Sequence, residues 1–531
     1  MGKKILIGDI KTPYDAGERE IISAAKKKVA RSGLSARDFS FKIYKRSIDA
    51  RKRDNIMSVC SVVAETASDL RLDDTRFSKY GISEVPCGDL EIKKGDRRMA
   101  NRPVIVGMGP AGMFCAMLLA ENGYAPIIIE RGDAVGERVK KVEIFYKNGI
   151  LDKNTNIQFG AGGAGTFSDG KLVTRINDAR CAYVLRRFNE FGAPDEILTK
   201  AKPHIGTDVL RSVVSNISDY ICANGGEIRY NTRLKELEGT RVVTDDYSLE
   251  SGVVVLALGH SARDTYEMLL SKDFLIEPKP FSVGVRIEHL RTDIEHALFG
   301  DLAGDQKLGA AEYNLSQRRG DRGVYTFCMC PGGEVVAAAS EEGGVVVNGM
   351  SSYARNGRNS NSAVAVSVNC EDYGNTVMGA INFQRGIERA AFRAGGSDYF
   401  APVQTVGDFL ADKTGTEPKR VIPTYMNGKY RTANLAEVLP NFVISMLKDG
   451  LSAFDRKIAG FAASYAVLSG AETRTSAPVR IVRGDDMCAA GREGIYPCGE
   501  GAGYAGGITS AALDGVKTAL AIMEKYRPYG E

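Results

Sequence analysis

A glycine-rich turn near residue 110 constrains this chain more than any other feature of its sequence. Residues 107–112 read GMGPAG, and they lie between an apolar run at 103–107 and a second apolar run at 113–122. The first run predicts a strand buried on both faces of a parallel sheet, and the second predicts a helix. A strand, a Gly-x-Gly-x-x-Gly turn and a helix in this order are typical of a dinucleotide-binding fold.

The residues of this turn predict how a dinucleotide is held. Gly107 permits the tight turn, Gly109 lets the backbone approach a pyrophosphate, and Gly112 lets helix and strand come close together. The N-terminus of the following helix faces the anion. We expect the whole turn to bind the cofactor: Gly107, Gly109, Pro110, Ala111 and Gly112. Glu130 ends the next apolar strand and is placed to accept hydrogen bonds from ribose hydroxyls, which favours FAD or NAD over a 2′-phosphorylated nucleotide.

Three later segments favour FAD over NAD, and the first is a loop at 158–171 that reads QFGAGGAGTFSDGK. Glycines interrupted by small hydroxyl residues can lay backbone N–H groups along a pyrophosphate or against an isoalloxazine edge. The predicted cofactor contacts in this loop are Gly162, Gly163, Ala164, Gly165 and Thr166. A flexible lid or linker is the alternative, but a plain linker would not need the embedded Asp169 and Lys171.

The second segment, at 253–260, reads VVVLALGH and predicts an apolar strand that ends in a turn of small residues. It resembles the Ala-Thr-Gly motif late in the FAD domain of flavoproteins with two dinucleotide-binding folds, with Leu258 where Thr is usual. On this resemblance Ala257 and Gly259 contact the cofactor. Any buried parallel strand that ends at a glycine would give the same pattern, so this alternative stays open.

The third segment, at 494–509, reads GIYPCGEGAGYAGGIT and precedes a predicted helix at 510–525. In many flavoproteins a strand ends in Gly-Asp near the ribityl chain, and a downstream glycine loop opens a helix. The N-terminal amides of that helix point at the flavin pyrimidine, where negative charge develops on reduction. Glu500 stands here in place of the usual Asp. The predicted cofactor contacts are Gly499, Glu500, Gly507, Ile508 and Thr509.

The sequence leaves the source of electrons open. No second unit of strand, Gly-x-Gly-x-x-Gly turn and helix follows Gly112, so we expect no separate domain for NADH or NADPH. Either nucleotide then binds transiently, or electrons pass to or from a partner protein, or a small-molecule substrate is itself the reductant. The chain has only 4 His and no helical pair of them, so we expect no metal site.

Further motifs carry a family resemblance over nearly the whole chain. They are SDGKL at 168–172, HIGTD at 204–208, FCMCPGG at 327–333, NGMS at 348–351 and ETRTSAPVR at 472–480. With the glycine motifs, they resemble the uncharacterised bacterial FAD-dependent dehydrogenases, or NAD(P)/FAD-dependent oxidoreductases, that have a small N-terminal α/β domain. The resemblance implies FAD and redox chemistry, but it supplies no substrate. It also implies three more cofactor contacts: Arg131 beside the adenosine, Lys171 and Leu234.

We predict four segments along the chain. Residues 1–98 predict a strand, a helix and two strands, an order typical of a small ferredoxin-like α+β domain. Residues 99–278 and 471–531 predict two parts of one Rossmann-type FAD-binding domain. Residues 279–470 are richer in β-branched residues, Gly and Asn, and predict an inserted α+β substrate domain. The fold class is therefore α/β, with the flavin expected at the interface between the FAD-binding and inserted domains.

Two catalytic candidates lie in the later motifs. Cys328 and Cys330 would point to the same face of an extended strand, and we expect Cys330 to lie near the flavin or substrate because it precedes a Pro-Gly-Gly turn. The alternative is two small buried hydrophobic residues. Arg474 offers a planar fork of donors to an anionic substrate or a flavin carbonyl, and an interdomain salt bridge is the alternative. The histidines that could act as acids or bases are His204, His260, His289 and His296.

The distribution of charge raises a different function. The chain has 70 Lys and Arg against 66 Asp and Glu, and its first 100 residues have 22 against 15. Residues 26–28, Arg46 and residues 51–53 could contact phosphates, so the alternative is a flavin-dependent RNA-modifying or nucleic-acid-binding protein. The modest excess and the few aromatic residues there argue against nucleic acid as a partner. A flavin-bound sensor or assembly partner without turnover is a third hypothesis.

The cellular compartment of the protein is predicted from two kinds of apolar segment that the sequence lacks. No stretch has the apolar run of a signal peptide or of a membrane span, so we expect a cytoplasmic protein. The 10 Cys are scattered rather than set at framework spacings, which favours reduced thiols. The oligomeric state is left open.

Overall fold

The computed structural model describes residues 3–67, 77–86 and 88–530. Residues 1–2, 68–76, 87 and 531, which belong to the predicted first and last segments, lie outside the described residues. The helices are α1 (Glu18–Arg31), α2 (Pro110–Glu121), α3 (Val135–Asn148), α4 (Cys181–Glu190), α5 (Thr207–Ala223), α6 (Arg263–Ser271), α7 (Arg291–Phe299), α8 (Val377–Ala394), α9 (Val406–Leu410), α10 (Asn441–Asp455) and α11 (Ile508–Lys525).

The strands form one large antiparallel sheet, one parallel sheet, an N-terminal sheet and several short ribbons. The strands before residue 260 are β1 (Lys3–Pro13), β2 (Ser40–Asp49), β3 (Met57–Thr66), β4 (Ile82–Glu84), β5 (Arg97–Arg98), β6 (Val104–Val106), β7 (Ile127–Ile129), β8 (Glu227–Arg229), β9 (Leu234–Glu238), β10 (Arg241–Thr244), β11 (Ser248–Leu249) and β12 (Val254–Leu256). The later strands are β13 (Ile276–Pro278), β14 (Phe281–Leu290), β15 (Ser316–Arg319), β16 (Arg322–Cys330), β17 (Glu334–Ala337), β18 (Val347–Met350), β19 (Asn359–Val368), β20 (Ala401–Thr405), β21 (Tyr430–Thr432), β22 (Val467–Glu472), β23 (Val479–Ile481), β24 (Ile495–Pro497) and β25 (Tyr526–Arg527).

The N-terminal sheet has the strand order β2-β3-β1-β4, and each neighbouring pair is antiparallel. This is the order of a ferredoxin-like sheet. Helix α1 covers it because Ile21, Ala25 and Val29 recur every four residues and are all buried. Strand β1 contributes Ile5 and Ile7, which are also buried, so alternate residues of the strand face the helix.

The parallel sheet has the order β24-β12-β6-β7-β8. Its central strands β6, β7 and β12 are buried at every position, as the continuous apolar runs predict. Strand β24 comes from the last forty residues of the chain and pairs with β12, so sequence-distant segments build one sheet. The chain runs from β6 to β7 and β8 on one side and then returns to β12 on the other side of β6, so the strand order reverses there. Ligands bind beyond the carboxyl ends of parallel strands at such a point.

The larger sheet has the order β15-β16-β19-β14-β22-β20-β21 and is antiparallel apart from the pair β20 and β21. A two-stranded ribbon of β13 and β23 joins its region to the parallel sheet. Strand β22 runs across residue 470, where we placed a domain boundary. We therefore propose that the boundary lies after Glu472, where β22 ends.

The mixed α/β class with a Rossmann-type parallel sheet, an α+β region and a ferredoxin-like sheet confirms the predicted fold class.

The N-terminal sheet is joined to the rest of the chain by backbone hydrogen bonds. The N–H of Arg46 donates to Thr199 O at 2.8 Å, and the N–H of Ala201 donates to Arg46 O at 2.9 Å. Within the residues described, no helix is both long and apolar enough to cross a bilayer.

Candidate functional site

A cleft of about 320 Å³ opens where the carboxyl ends of the parallel strands face the larger sheet. The loops after β6, β7 and β12 and the start of α11 form one wall. Strands β16, β18 and β22 contribute to the other wall. The cleft therefore lies between the two regions whose interface we expected to hold the flavin.

Most of the predicted cofactor contacts meet in this cleft. Those that line it are Gly107, Gly109, Pro110, Ala111, Glu130, Arg131, Gly163, Ala164, Gly165, Lys171, Leu234, Ala257, Gly259, Glu500, Gly507 and Ile508. Five others do not line it: Gly112, Gly162, Thr166, Gly499 and Thr509. Segments that are separated by up to four hundred residues thus converge on one surface.

The glycines of the first turn differ in what surrounds them. A Cβ on Gly107 would lie 2.3 Å from Ala257 O, at a φ of +100°, and a Cβ on Gly112 would lie 2.0 Å from Gly107 O. A Cβ on Gly109 would have only Gly163 Cα near it, at 4.0 Å. Gly107 and Gly112 are therefore required by close backbone contacts, whereas Gly109 leaves open space on the cleft side for a ligand backbone.

Two helices begin at the cleft with unneutralised N-termini. Helix α2 starts after Gly109 and helix α11 after Gly507, and neither has a side-chain cap or an acidic residue in its first turn. The first N–H groups of a helix lack intrahelical partners, and the helix dipole adds partial positive charge there. The two ends fit a pyrophosphate and the pyrimidine edge of a reduced flavin, which carry negative charge. The residues present therefore fit FAD.

Glu130 is buried and holds three loops together. Its Oε2 accepts from Met108 N at 2.8 Å, and its Oε1 accepts from Gly132 N at 3.0 Å and from Gly160 N at 2.9 Å. A carboxylate has about four acceptor positions, so one position on Oε2 stays free for a ribose hydroxyl. Glu130 therefore positions these loops, in addition to its predicted role of binding the ribose hydroxyls.

The residues that do not line the cleft support those that do. Thr166 Oγ1 donates to Ala161 O at 3.1 Å, and a Cβ on Gly162 would lie 2.1 Å from that same hydroxyl. Thr509 Oγ1 donates to Leu172 O at 2.8 Å and ties the start of α11 to the glycine loop. A Cβ on Gly499 would lie 2.6 Å from the Ala111 Cβ. These positions fix the geometry of the cleft wall rather than face a ligand.

Two carboxyl groups in the cleft titrate near neutral pH. Burial raises the pKa of Glu472 to about 7, although Arg286 Nε donates to its Oε2 at 2.9 Å and opposes the shift. Burial also raises the pKa of Glu500 to about 7. Each group can therefore hold or release a proton at physiological pH, as an acid–base residue must.

A cationic side chain, Lys171, faces the same cleft from a buried ion pair. Its ammonium donates to Asp169 Oδ2 at 2.8 Å, and Arg355 Nε donates to Asp169 Oδ1 at 3.0 Å. Burial opposes the ionisation of Asp169, but the two cations together hold its pKa below the ordinary value. The carboxylate orients Lys171, and Met329 O accepts a second N–H. The third N–H of the ammonium has no acceptor in the described part of the chain.

The two cysteines are placed differently from the prediction. Cys328 lines the cleft, whereas Cys330 is fully buried and does not. The reason is a β-bulge between Phe327 and Cys330, where Cys328 adopts a φ of +44°. The bulge breaks the extended geometry that would place both side chains on one face. Cys330 is therefore corrected to Cys328 as the thiol beside the ligand space.

Arg474 lines the cleft and also forms a buried ion pair. Its Nε and Nη2 donate to Glu388 at 3.1 and 3.0 Å, and Arg263 donates to the same carboxylate at 2.7 and 2.8 Å. Ser340 Oγ accepts from Nη1. A guanidinium has five N–H donors, and two of those on Arg474 have no acceptor among the described residues. Both roles that we considered for Arg474 are compatible with this geometry.

Of the four histidines, His260 lines the cleft. Its Nδ1 lies 3.0 Å from Ser261 Oγ, and burial lowers its pKa, helped by Arg474 and Arg263. A neutral imidazole is therefore expected there. The others are elsewhere: His204 bonds to a backbone carbonyl, His289 lies in the core of the larger sheet and His296 is exposed on α7.

Sequence reasoning missed several residues of the cleft. Gln158, Asn348 and Glu472 line it and were not predicted as site residues. All three belong to segments that carried motifs, so their position in the sequence was a usable signal. Their chemistry was not, because amide and carboxyl residues are common on any surface.

Three of the basic N-terminal residues have partners within the protein. Lys28 Nζ donates to Gly8 O at 2.7 Å, Arg46 Nε donates to Ser58 Oγ at 2.9 Å, and Arg51 Nε donates to Asp49 Oδ1 at 2.8 Å. These contacts occupy three of the cations that we considered for nucleic acid. The structure gives no support to the alternative function.

The parallel sheet, its glycine turn and the two helix N-termini define a flavoprotein of the dinucleotide-binding class. Residues 280–475 match the family model described as "FAD-dependent protein, C-terminal domain-like". Residues 5–65 match a domain of unknown function. An uncharacterised protein of Clostridium beijerinckii (strain ATCC 51743 / NCIMB 8052) is 46% identical over 519 residues, which are 95% of this chain and 96% of the relative. The chain belongs to the same family of FAD-dependent proteins, which confirms the resemblance, and FAD is its cofactor.

Solved structures of low similarity were also found. A glycine oxidase from Geobacillus kaustophilus is 10% identical, with 80% of this chain and 93% of that chain covered and a TM-score of 0.34. An L-amino acid deaminase from Proteus vulgaris is 13% identical, with 82% and 97% covered and a TM-score of 0.33. Similarity at this level carries no argument about the fold or the substrate of this chain.

Proposed function

We propose that the chain is an enzyme, a FAD-dependent oxidoreductase that passes electrons between the flavin and a small molecule bound in the cleft. The observation that carries this proposal is the placement of ionisable side chains opposite the dinucleotide motifs. Lys171, Glu472 and Arg474 all line the same cleft as the glycine turn. A protein that merely stored a flavin would not need buried acid–base groups beside it.

Each group of residues has a distinct task in this proposal. FAD, when bound, supplies reversible two-electron transfer. The first turn of α2 would bind the pyrophosphate, and the first turn of α11 would stabilise negative charge on the flavin pyrimidine. Glu472 holds or moves a proton at its Oε atoms, since its pKa is raised to about 7.

The free donors in the cleft favour an anionic substrate. Lys171 keeps one N–H and Arg474 keeps two that no other group of the described residues accepts. Lys171 is partly buried and Arg474 is buried. Cations in such positions bind a carboxylate or phosphate with charge-assisted hydrogen bonds. NADH, NADPH or a partner protein would then exchange electrons with the flavin transiently.

The test begins with the absorbance spectrum of protein reconstituted with FAD, followed by anaerobic titration with NADH and NADPH. Flavin bands that bleach with either nucleotide, or with an anionic substrate, are the expected result. A flavin that neither donates nor accepts electrons would overturn the proposal in favour of a sensor.

A pair of glycine variants tests the cofactor site itself. Gly109→Ala places a methyl group in the open space of the cleft at a φ that alanine adopts freely. We expect it to weaken FAD binding by at least about tenfold, or about 1.4 kcal/mol, without loss of folding. Gly136→Ala is the matched control, because nothing lies within 4 Å of its Cβ and it is in α3. Equal FAD affinity in both variants would contradict the site.

A further inference from the structure

Cys328 lies within the β-bulge of strand β16, and Cys330 is the residue at which regular pairing with β19 resumes. The register pairs Phe327 with Ala363 and Cys330 with Asn361, so the bulge leaves two residues of β16 opposite one of β19. Cys328 has a φ of +44°, which costs free energy for a residue with a side chain. Backbone strain of this kind persists at functional sites because the surrounding contacts enforce it.

The Cys330 thiol lies against the backbone of Cys328. The Cys330 thiol donates to the backbone carbonyl of Cys328 at 3.3 Å. Cys328 is partly exposed and lines the cleft, whereas Cys330 is fully buried behind it. The Cys328 thiol is therefore open to a ligand, and the Cys330 thiol is shielded from it.

Two cations hold the bulge and favour a thiolate. The ammonium of Lys171 donates to the carbonyl of Met329, the residue between the cysteines, and Arg286 Nη1 donates to Cys328 O at 3.2 Å. The hydrogen bond from Cys330 lowers the pKa of Cys328, and both cations add to the shift against burial. The pKa of Cys330 is raised by the same hydrogen bond and by burial. An accessible thiolate beside a protonated thiol is the arrangement of a reactive cysteine and its resolving partner.

We propose that Cys328 and Cys330 are a redox-active dithiol–disulfide pair that exchanges two electrons with the bound FAD. The proposal rests on the proposed function, since it needs the flavin in the cleft. It adds a second redox centre to the protein and makes thiol or disulfide compounds, which Cys328 can reach, the class of substrate.

The exchange is balanced without a further reactant inside the protein. Oxidation of the pair, which is one thiolate and one thiol, forms one S–S bond, breaks the S–H bond of Cys330 and releases two electrons and one proton. Oxidised FAD takes up both electrons and that proton to become anionic reduced FAD. Two molecules of a small thiol regenerate the reduced pair: the first attacks the Cys328 sulfur and forms a mixed disulfide, and the second attacks that mixed disulfide, so that the two leave as one small disulfide.

The first experiment counts electrons. The FAD-loaded protein, oxidised with a mild disulfide-forming reagent that is then removed, is titrated anaerobically with dithionite. The expected result is uptake of four electrons per flavin in the natural protein and two in Cys328→Ser and in Cys330→Ser. The serine hydroxyl at either position can keep a hydrogen bond, so these variants are expected to fold and bind FAD. Cys222→Ser on the exposed face of α5 is the matched control and should take up four electrons.

The second experiment locates the disulfide by mass. Trypsin cuts after Arg322 and Arg355, and the peptide 323–355 contains Cys328 and Cys330 but no other cysteine. In oxidised protein that is alkylated under denaturing conditions, this peptide should be two hydrogens lighter than the reduced form and carry no label. Reduction of the protein before alkylation should add two labels.

The outcomes separate this inference from the proposed function. Bleaching of the flavin with four electrons and a light peptide supports both. Bleaching of the flavin with two electrons, and two labels on the peptide after oxidation, overturns the dithiol pair and leaves the oxidoreductase intact. Failure of the flavin to take up electrons, with the peptide still light, would count against the proposed function and against exchange with FAD.

Discussion

The substitution Glu388→Gln gives the sharpest test of how the cleft wall is stabilised. The Glu388 carboxylate is 1% exposed and accepts from Arg263, from Arg474 and from Thr473 Oγ1 at 2.7 Å. Glutamine keeps the shape of the side chain but removes the charge. Two buried guanidinium groups then face each other across a neutral amide that cannot accept with both atoms.

The magnitude follows from this burial. Breaking a buried ion pair by removing one partner costs about 3–5 kcal/mol, because the other charge is left without compensation. For a folding unit of about 200 residues, each kcal/mol lowers the melting temperature by about 2–4 °C. We therefore expect Glu388→Gln to lower the transition temperature by about 6–20 °C, measured by scanning calorimetry of the FAD-loaded protein.

The matched control is Glu341→Gln, the same change at a neighbouring member of the network. Glu341 pairs with Arg263 at 2.6 Å and with Arg385 at 2.7 Å, but its side chain is 30% exposed. After the substitution, water can solvate the arginine groups that Glu341 had paired with, so the expected cost in folding stability is about 1 kcal/mol or less. Equal and small shifts in the two variants would refute the argument that burial decides the contribution of this carboxylate.

Three further predictions concern the backbone, the pH dependence and the cofactor. Gly107→Ala should destabilise the protein strongly and abolish FAD binding, because its Cβ would lie 2.3 Å from Ala257 O, whereas Gly136→Ala should leave both unchanged in calorimetry and flavin titration. The pKa of Glu472 is raised from 4.5 to about 7, so folding favours its protonated form. The natural protein should therefore lose about 3 kcal/mol of folding stability, relative to Glu472→Gln, as pH rises from about 4.5 to about 7. Parallel melting curves for the two proteins over this pH range would contradict that assignment. Added FAD should stabilise the folded protein by mass action, by about 2.7 kcal/mol at a hundredfold excess over its Kd, and so raise the transition temperature. An unchanged temperature would argue against a preformed site.

Local features of the sequence were sufficient for the dinucleotide-binding part of the fold. The apolar runs at 103–107 and 253–260 became the buried strands β6 and β12, and the turn between strand and helix formed at Gly107. Helix α11 begins at Ile508, two residues before the predicted start. These features depend on neighbours in the chain, on glycine's access to positive φ and on the period of buried residues.

The substrate side of the cleft was harder to predict because it depends on residues that are distant in the chain. Glu472 reaches the cleft because β22 pairs with β14, and its pKa is raised by burial, which outweighs the opposing effect of Arg286. Arg474 is held by Glu388, a residue on α8 nearly ninety positions earlier. Sequence alone gives the type of each side chain, but the pKa and the free donors follow from its partners.

The sequence by itself determined the strand–turn–helix unit, the cofactor class and the order of the segments, because each of these is encoded by spacing over a few residues. Only the tertiary structure decided which cysteine faces the ligand. A single bulge, fixed by pairing with β19 and by hydrogen bonds from Lys171 and Arg286, turned Cys328 to the cleft and buried Cys330. Side chains alternate between the faces of a strand, so one extra residue in the register reverses what each face presents.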